Sequence, residues 1–146
     1  VSYLYLPFVF QGILMGIDER LHMKRGLGLW ERLGHPLDTL TVFVPISYIA
    51  MNDYSQEGLI LYISLALFSS LFITKDEFIH SLQCPPFENW LHSLLFVTHP
   101  LIFLSSGVLW KYHPSDIFLS FQPLFIGAFM LYQILKWSIP WKKFWK

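Results

Sequence analysis

Two short boxes of acids and histidines occur twice in this chain. The first half reads DERLH, eight further residues, then ERLGH, which supplies Asp18, Glu19, His22, Glu31 and His35. The second half reads DEFIH, seven residues, then ENWLH, which supplies Asp76, Glu77, His80, Glu88 and His92. The copies are offset by 58 residues in the first box and 57 in the second, and Leu37 and Thr41 recur as Leu94 and Thr98. In DExxH the Glu and His stand three apart, and in ExxxH four apart, so each pair shares a helix face. The predicted metal ligands are therefore Glu19, His22, Glu31, His35, Glu77, His80, Glu88 and His92. Carboxylates mixed with imidazoles suit two divalent or trivalent ions of intermediate hardness, iron first, with zinc or manganese as alternatives. Magnesium and calcium prefer all-oxygen sites and have no use for so many imidazoles.

Other residues have two readings each. Asp18 and Asp76 either hydrogen-bond a ligating imidazole or move protons, or they pair with Arg20, Lys24 or Lys75. Asp38, just after Pro36, is a helix-start charge or a direct ligand. His99 lies seven positions beyond His92, on the same face and about 10 Å deeper. It is a further ligand, a proton relay or a packed core histidine. Its counterpart in the first half is Val42, and no second deep histidine is present to make a haem pair. Arg25 and Arg32 balance the acids or hold an anionic head group, and Gly26, Gly28 and Gly34 suggest a tight loop over the site. Cys84 is the only cysteine, which excludes an internal disulfide and any CxxC motif. Ser81 and Ser93 lie near the boxes without a nucleophile elbow.

These residues need a scaffold, and composition says which kind. Hydrophobic residues make up 54% and charged residues 14%, with a mean hydropathy of +0.47. A soluble domain carries about a quarter charged residues, so a lipid-embedded chain is favoured over a dense soluble core. With 146 residues there is room for one domain. Five apolar stretches are Val1–Ile17, Leu37–Met51, Leu59–Ile73, Leu91–Trp110 and Ile117–Leu135. The expected fold is an all-α integral membrane protein with five transmembrane helices. Four form a bundle from two parallel two-helix repeats, residues 1–53 and 58–110, and a fifth helix covers 117–135. The opening segment reads as a membrane helix rather than a signal peptide, having no basic start or small-residue cleavage site. Pro45 and Pro100 are placed to kink the second and fourth helices and open a cavity between them.

The two long connections, 18–36 and 74–90, and the C-terminus carry nine of the ten Lys and Arg residues, whereas the short connections carry only Lys111. Positive charge then puts the box-bearing loops and the C-terminus in the cytoplasm and the N-terminus outside. The tail, 136–146, mixes Trp and Lys and reads as an interfacial anchor. Zero net charge gives no general attraction to nucleic acid.

The Glu-x-x-His pairs at Glu19/His22 and Glu77/His80 resemble the ligand style of soluble di-iron bundles. Their position at cytoplasmic helix ends is similar to that of the histidine-box membrane oxygenases, the desaturases and hydroxylases, whose HxxxH and HxxHH boxes are absent here. That resemblance implies a dinuclear metalloenzyme that oxidises or hydroxylates a lipid or other apolar substrate, with an electron-donor protein as partner. The same ligands would also serve a metal-dependent hydrolase, a metal or proton transporter component, or a structural metal.

Overall fold

The structure, a computed structural model, describes residues 1–139. Lys142, Lys143, Lys146 and Pro140, and with them most of the expected anchor, lie outside the described residues. Six helices follow in order: α1 Leu6–Arg25, α2 Leu29–Met51, α3 Gln56–Phe72, α4 Glu77–Gln83, α5 Pro86–Tyr112 and α6 Ile117–Gln133. A 3-10 turn, Ile73–Asp76, joins α3 to α4, and a π-type turn, Ile134–Ser138, extends α6. No strand occurs among the described residues.

Local chemistry sets the boundaries. Pro7 stands in the first turn of α1 and Pro86 opens α5, where the missing N–H is harmless. Ser55 and Asp116 cap α3 and α6 by accepting from the backbone N–H of Gly58 and Leu119. The chain leaves α1 through Gly26 at φ 80, a left-handed conformation that side chains resist.

Three segments, Gln56–Leu82, Pro86–Tyr112 and Ile117–Ser138, are long and apolar enough to cross a membrane. Helices α1 and α2 carry more charge, concentrated where the boxes lie. The distribution of side chains is inverted relative to a soluble protein. Leu71 and Leu82 are exposed, whereas Glu31 and Glu88 are each only 1% exposed. Such a contiguous apolar exterior marks a surface made for another apolar phase.

Helix α1 packs against α5, while α2 packs between α3 and α6. One end of the bundle is an aromatic and aliphatic core of Ile46, Ile49, Tyr62, Phe103, Leu109, Trp110 and Leu119. Its two polar atoms are satisfied: Tyr62 Oη donates to the Phe103 carbonyl at 2.7 Å and Trp110 Nε1 to the Asn52 carbonyl at 2.6 Å. The opposite end holds the acids and histidines.

Candidate metal centre

Each box contributes one acid and one histidine four residues apart, and all face inward. Asp18 and His22 come from the last turns of α1, and Glu31 and His35 from the first turns of α2. Asp76 closes the 3-10 turn and His80 follows in α4, while Glu88 and His92 open α5. The pairs then cross between the halves. His92 Nε2 donates to Asp18 Oδ1 at 2.9 Å, since a carboxylate can only accept. His22 Nε2 stands 3.7 Å from Glu88 Oε1, and His80 Nε2 stands 3.3 Å from Glu31 Oε1. The His80 and His92 rings stack at 3.9 Å, and the His22 and His35 centroids are 4.9 Å apart.

Four groups bring ligand atoms within 4.8 Å of one another: Asp18, His22, Glu88 and His92; His22, Glu31 and His35; Glu31, His80 and Cys84; His35, Asp38 and Asp76. The groups share members, so they form one continuous cluster. Two cations already sit at its edges. Arg25 donates to both Glu31 oxygens, at 2.5 and 3.1 Å, and to Glu88 at 2.8 Å. Lys75 Nζ bridges Asp38 at 2.5 Å and Asp76 at 3.0 Å. Five carboxylates against these two cations leave an excess of negative charge in a buried place, which buried charge tolerates poorly unless paired.

The histidines show the complementary deficit. His22 Nε2, His35 Nε2, both ring nitrogens of His80, and His92 Nδ1 are buried without a hydrogen-bond partner. A buried imidazole nitrogen without a partner is costly, and a metal ion is one of the few groups that satisfies several at once. The donor set fits a metal on both counts, free nitrogen lone pairs and surplus carboxylate charge.

No family model, curated protein or solved structure matches this chain.

The eight expected ligands divide. His22, Glu31, His35, His80, Glu88 and His92 join the cluster. Glu19 and Glu77 lie outside those groups. Glu19 accepts from Tyr132 Oη at 2.5 Å and Trp137 Nε1 at 3.1 Å, and Glu77 is exposed. Asp18 and Asp76 stand in their place. The reason is helical pitch: an acid four residues before a histidine sits more nearly above it than one three before. All four boxes thus reduce to acid-x-x-x-His, a regularity visible in the sequence once both boxes are written at that spacing. Asp38 belongs to the cluster, whereas Arg32 is exposed and donates to the Leu27 carbonyl at 2.9 Å. His99 pairs with Ser69 Oγ at 3.0 Å, which in turn bonds Thr41 Oγ1 at 2.8 Å. Lys75 meets Asp76, one of the pairings the sequence offered, and reaches Asp38 as well, whereas Cys84 had no expected place in the site. Cys84 Sγ donates to Glu88 at 3.3 Å, and burial first, then that hydrogen bond, pushes the thiol up to about 12.

A cavity of about 620 Å³ runs from the cluster into the bundle between α1, α2, α5 and α6. His22 and His92 line one end; Phe96, Phe125 and Phe129 form much of the wall. Pro45 and Pro100 lie within α2 and α5 and do not line this cavity.

Proposed function

We propose that this chain is a membrane-embedded metalloenzyme whose dinuclear site, at the cytoplasmic helix ends, oxidises or hydroxylates a lipid or other apolar substrate. The observation that carries the reading is the set of buried, unpartnered ring nitrogens on four histidines that share one cluster with five carboxylates. His22, His35, His80 and His92 would hold the metal with Glu31, Glu88, Asp18 and Asp76. Asp18, bonded to His92 Nε2, orients that ring and leaves Nδ1 free as a ligand. Bound metal would supply Lewis-acid and redox chemistry that these side chains lack. The chain itself excludes bulk water, balances charge through Arg25 and Lys75, and presents an apolar cavity to substrate.

The membrane arrangement is part of the proposal. Helices α1 and α2 complete five spans, because 20 and 23 residues extend about 30 to 35 Å and the hydrocarbon core is about 30 Å thick. Their charges turn inward to the cluster rather than outward to lipid. The duplication is supported by matched packing: α1 on α5 and α2 on α3 each set the first helix of one half against the second helix of the other. Positive charge then places the cluster on the cytoplasmic face and the N-terminus outside.

Metal analysis of the detergent-purified protein, with absorption spectroscopy, tests the reading. About two iron ions per chain, lost in His22→Ala and in His80→Ala, is the expected result. Zinc in the same amount moves the assignment to hydrolysis. Absence of bound metal in a folded sample, unchanged by either substitution, refutes the metal centre.

A further inference from the structure

The cavity has a mouth, a bore and an end, and each is chemically distinct. At the cluster end stands Arg20, exposed and free of ion pairs among the described residues. The two arginines expected to meet a head group are otherwise engaged, Arg25 with Glu31 and Glu88 and Arg32 with a backbone carbonyl. Arg20 is therefore the cation at the rim that remains for an anionic head.

The bore lies beside α1 and α6, which are tied together at both ends. Tyr5 Oη donates to Asp116 at 2.6 Å, and the Tyr5 and Phe118 rings meet at 4.7 Å. At the cluster end the tie is Glu19 with Tyr132 and Trp137. Between the ties, Gly12, Gly16 and Phe125 line the cavity and are also exposed on the outside of the bundle, which opens the bore sideways. A Cβ built on Gly12 or Gly16 meets nothing within 4 Å. In a membrane such an opening faces lipid chains.

Phe8 lines the cavity nearest the Tyr5–Asp116 tie, and about one turn further inward stands Gln122. Its side chain is 8% exposed, lines the cavity and makes no hydrogen bond among the described residues. Counted from the Tyr5–Asp116 tie, Gly12 and Gln122 stand nearly level, roughly 10 Å inward. From His92 to Ile102, which lines the same end, α5 rises about 15 Å. An alkyl chain that reached Gln122 would strip water from an unpaired amide, which weakens binding by about tenfold. A chain that stops short leaves the amide hydrated.

We infer that this cavity binds a single fatty acid, carboxylate at Arg20 beside the cluster and chain along Gly16 and Gly12, with Gly12 and Gln122 setting the chain length it accepts. The volume falls within the roughly 300–1,000 Å³ that encloses a small ligand, which suits one chain rather than a whole diacyl lipid. This rests on the proposed site, whose substrate class it names.

The test uses the full chain in phosphatidylcholine nanodiscs with a diazirine-bearing fatty acid, mapping photolabelled residues by mass spectrometry. Unlabelled decanoic, myristic and stearic acids then compete. Labelling is expected to concentrate on Met15, Phe125 and Phe129. Gly12→Phe should weaken competition by stearic acid about tenfold, the loss of roughly two buried methylenes, and spare decanoic acid. Gln122→Leu should act in the opposite sense and strengthen stearic acid. Arg20→Gln should weaken all three acids but leave stearyl alcohol unchanged. Labelling spread evenly over the outer helix faces, or equal shifts for every chain length in both length variants, overturns the proposal. Metal content of the same nanodiscs separates the two readings. A labelled cavity without metal removes only the metal centre, and bound metal with scattered labelling removes only the fatty-acid site.

Discussion

At the residue scale, each position in the cluster is defined by what its neighbours leave unsatisfied. Arg25 is the clearest case, since its guanidinium separates two carboxylates that are each almost wholly buried. Arg25 itself reaches solvent, but removing it leaves two buried carboxylates without their compensating charge. Arg25→Gln should therefore lower the melting temperature of metal-free protein in detergent. Added divalent metal should recover more stability in this variant than in the parent, because it takes over the charge that Arg25 balanced. Differential scanning fluorimetry with and without metal reads both effects. Asp18 and Glu77 offer a second comparison, between an acid inside the cluster and one outside it. Asp18→Asn should weaken metal affinity by about 10–100-fold, the usual effect of losing a group that orients a ligating imidazole. Glu77→Gln should leave it unchanged within about twofold, since exposed substitutions away from such features are nearly neutral. A metal titration in which Glu77→Gln proved as damaging as Asp18→Asn would falsify the four-residue spacing as the ligand rule.

At the element scale, the bundle divides its work between its ends. The aromatic end depends on a close approach of α3 to α2 and α5 at Gly58. A Cβ there would lie 2.7 Å from Tyr48 Oη, 2.8 Å from Ser55 Oγ and 3.2 Å from the Trp110 ring. Gly58→Val should destabilise the fold by about 1–3 kcal/mol, the usual cost of overpacking. Metal stoichiometry should stay the same, because the cluster lies at the other end. Thermal unfolding and metal analysis on one preparation check both halves of that expectation. Helix α6 also does more than flank the rest of the bundle. Gln133 accepts from Thr39 at 2.6 Å, and Tyr132 and Trp137 hold Glu19, so α6 closes the side of the cavity that a four-helix arrangement would leave open.

At the scale of the whole molecule, polar burial and apolar exposure are two views of one design. Lipid accepts the outward leucines and phenylalanines, and it forces charged groups to find one another inside. The proposed topology follows from that and is open to direct measurement. In a Cys84→Ser background, Asp53→Cys and Ser115→Cys should react with a membrane-impermeant maleimide on intact cells. Lys24→Cys should react only after the membrane is permeabilised. Labelling of Lys24→Cys from outside would reverse the orientation.

Composition and the duplicated boxes alone determine that the chain is helical and apolar and that its acids and histidines gather at one end. These properties are local: hydropathy and the 3.6-residue period act on each segment by itself. Which acid faces inward was readable in principle, from the spacing of Asp18 to His22 and of Asp76 to His80. Which partner each histidine meets was not. The crossing of His92 to Asp18, the placing of Arg25 between Glu31 and Glu88, and the arrival of Lys75 and Cys84 depend on how helices from the two halves dock. The cavity likewise exists only where side chains of α1, α2, α5 and α6 enclose it. Docking is settled by packing between residues far apart in the chain, and no local pattern encodes it.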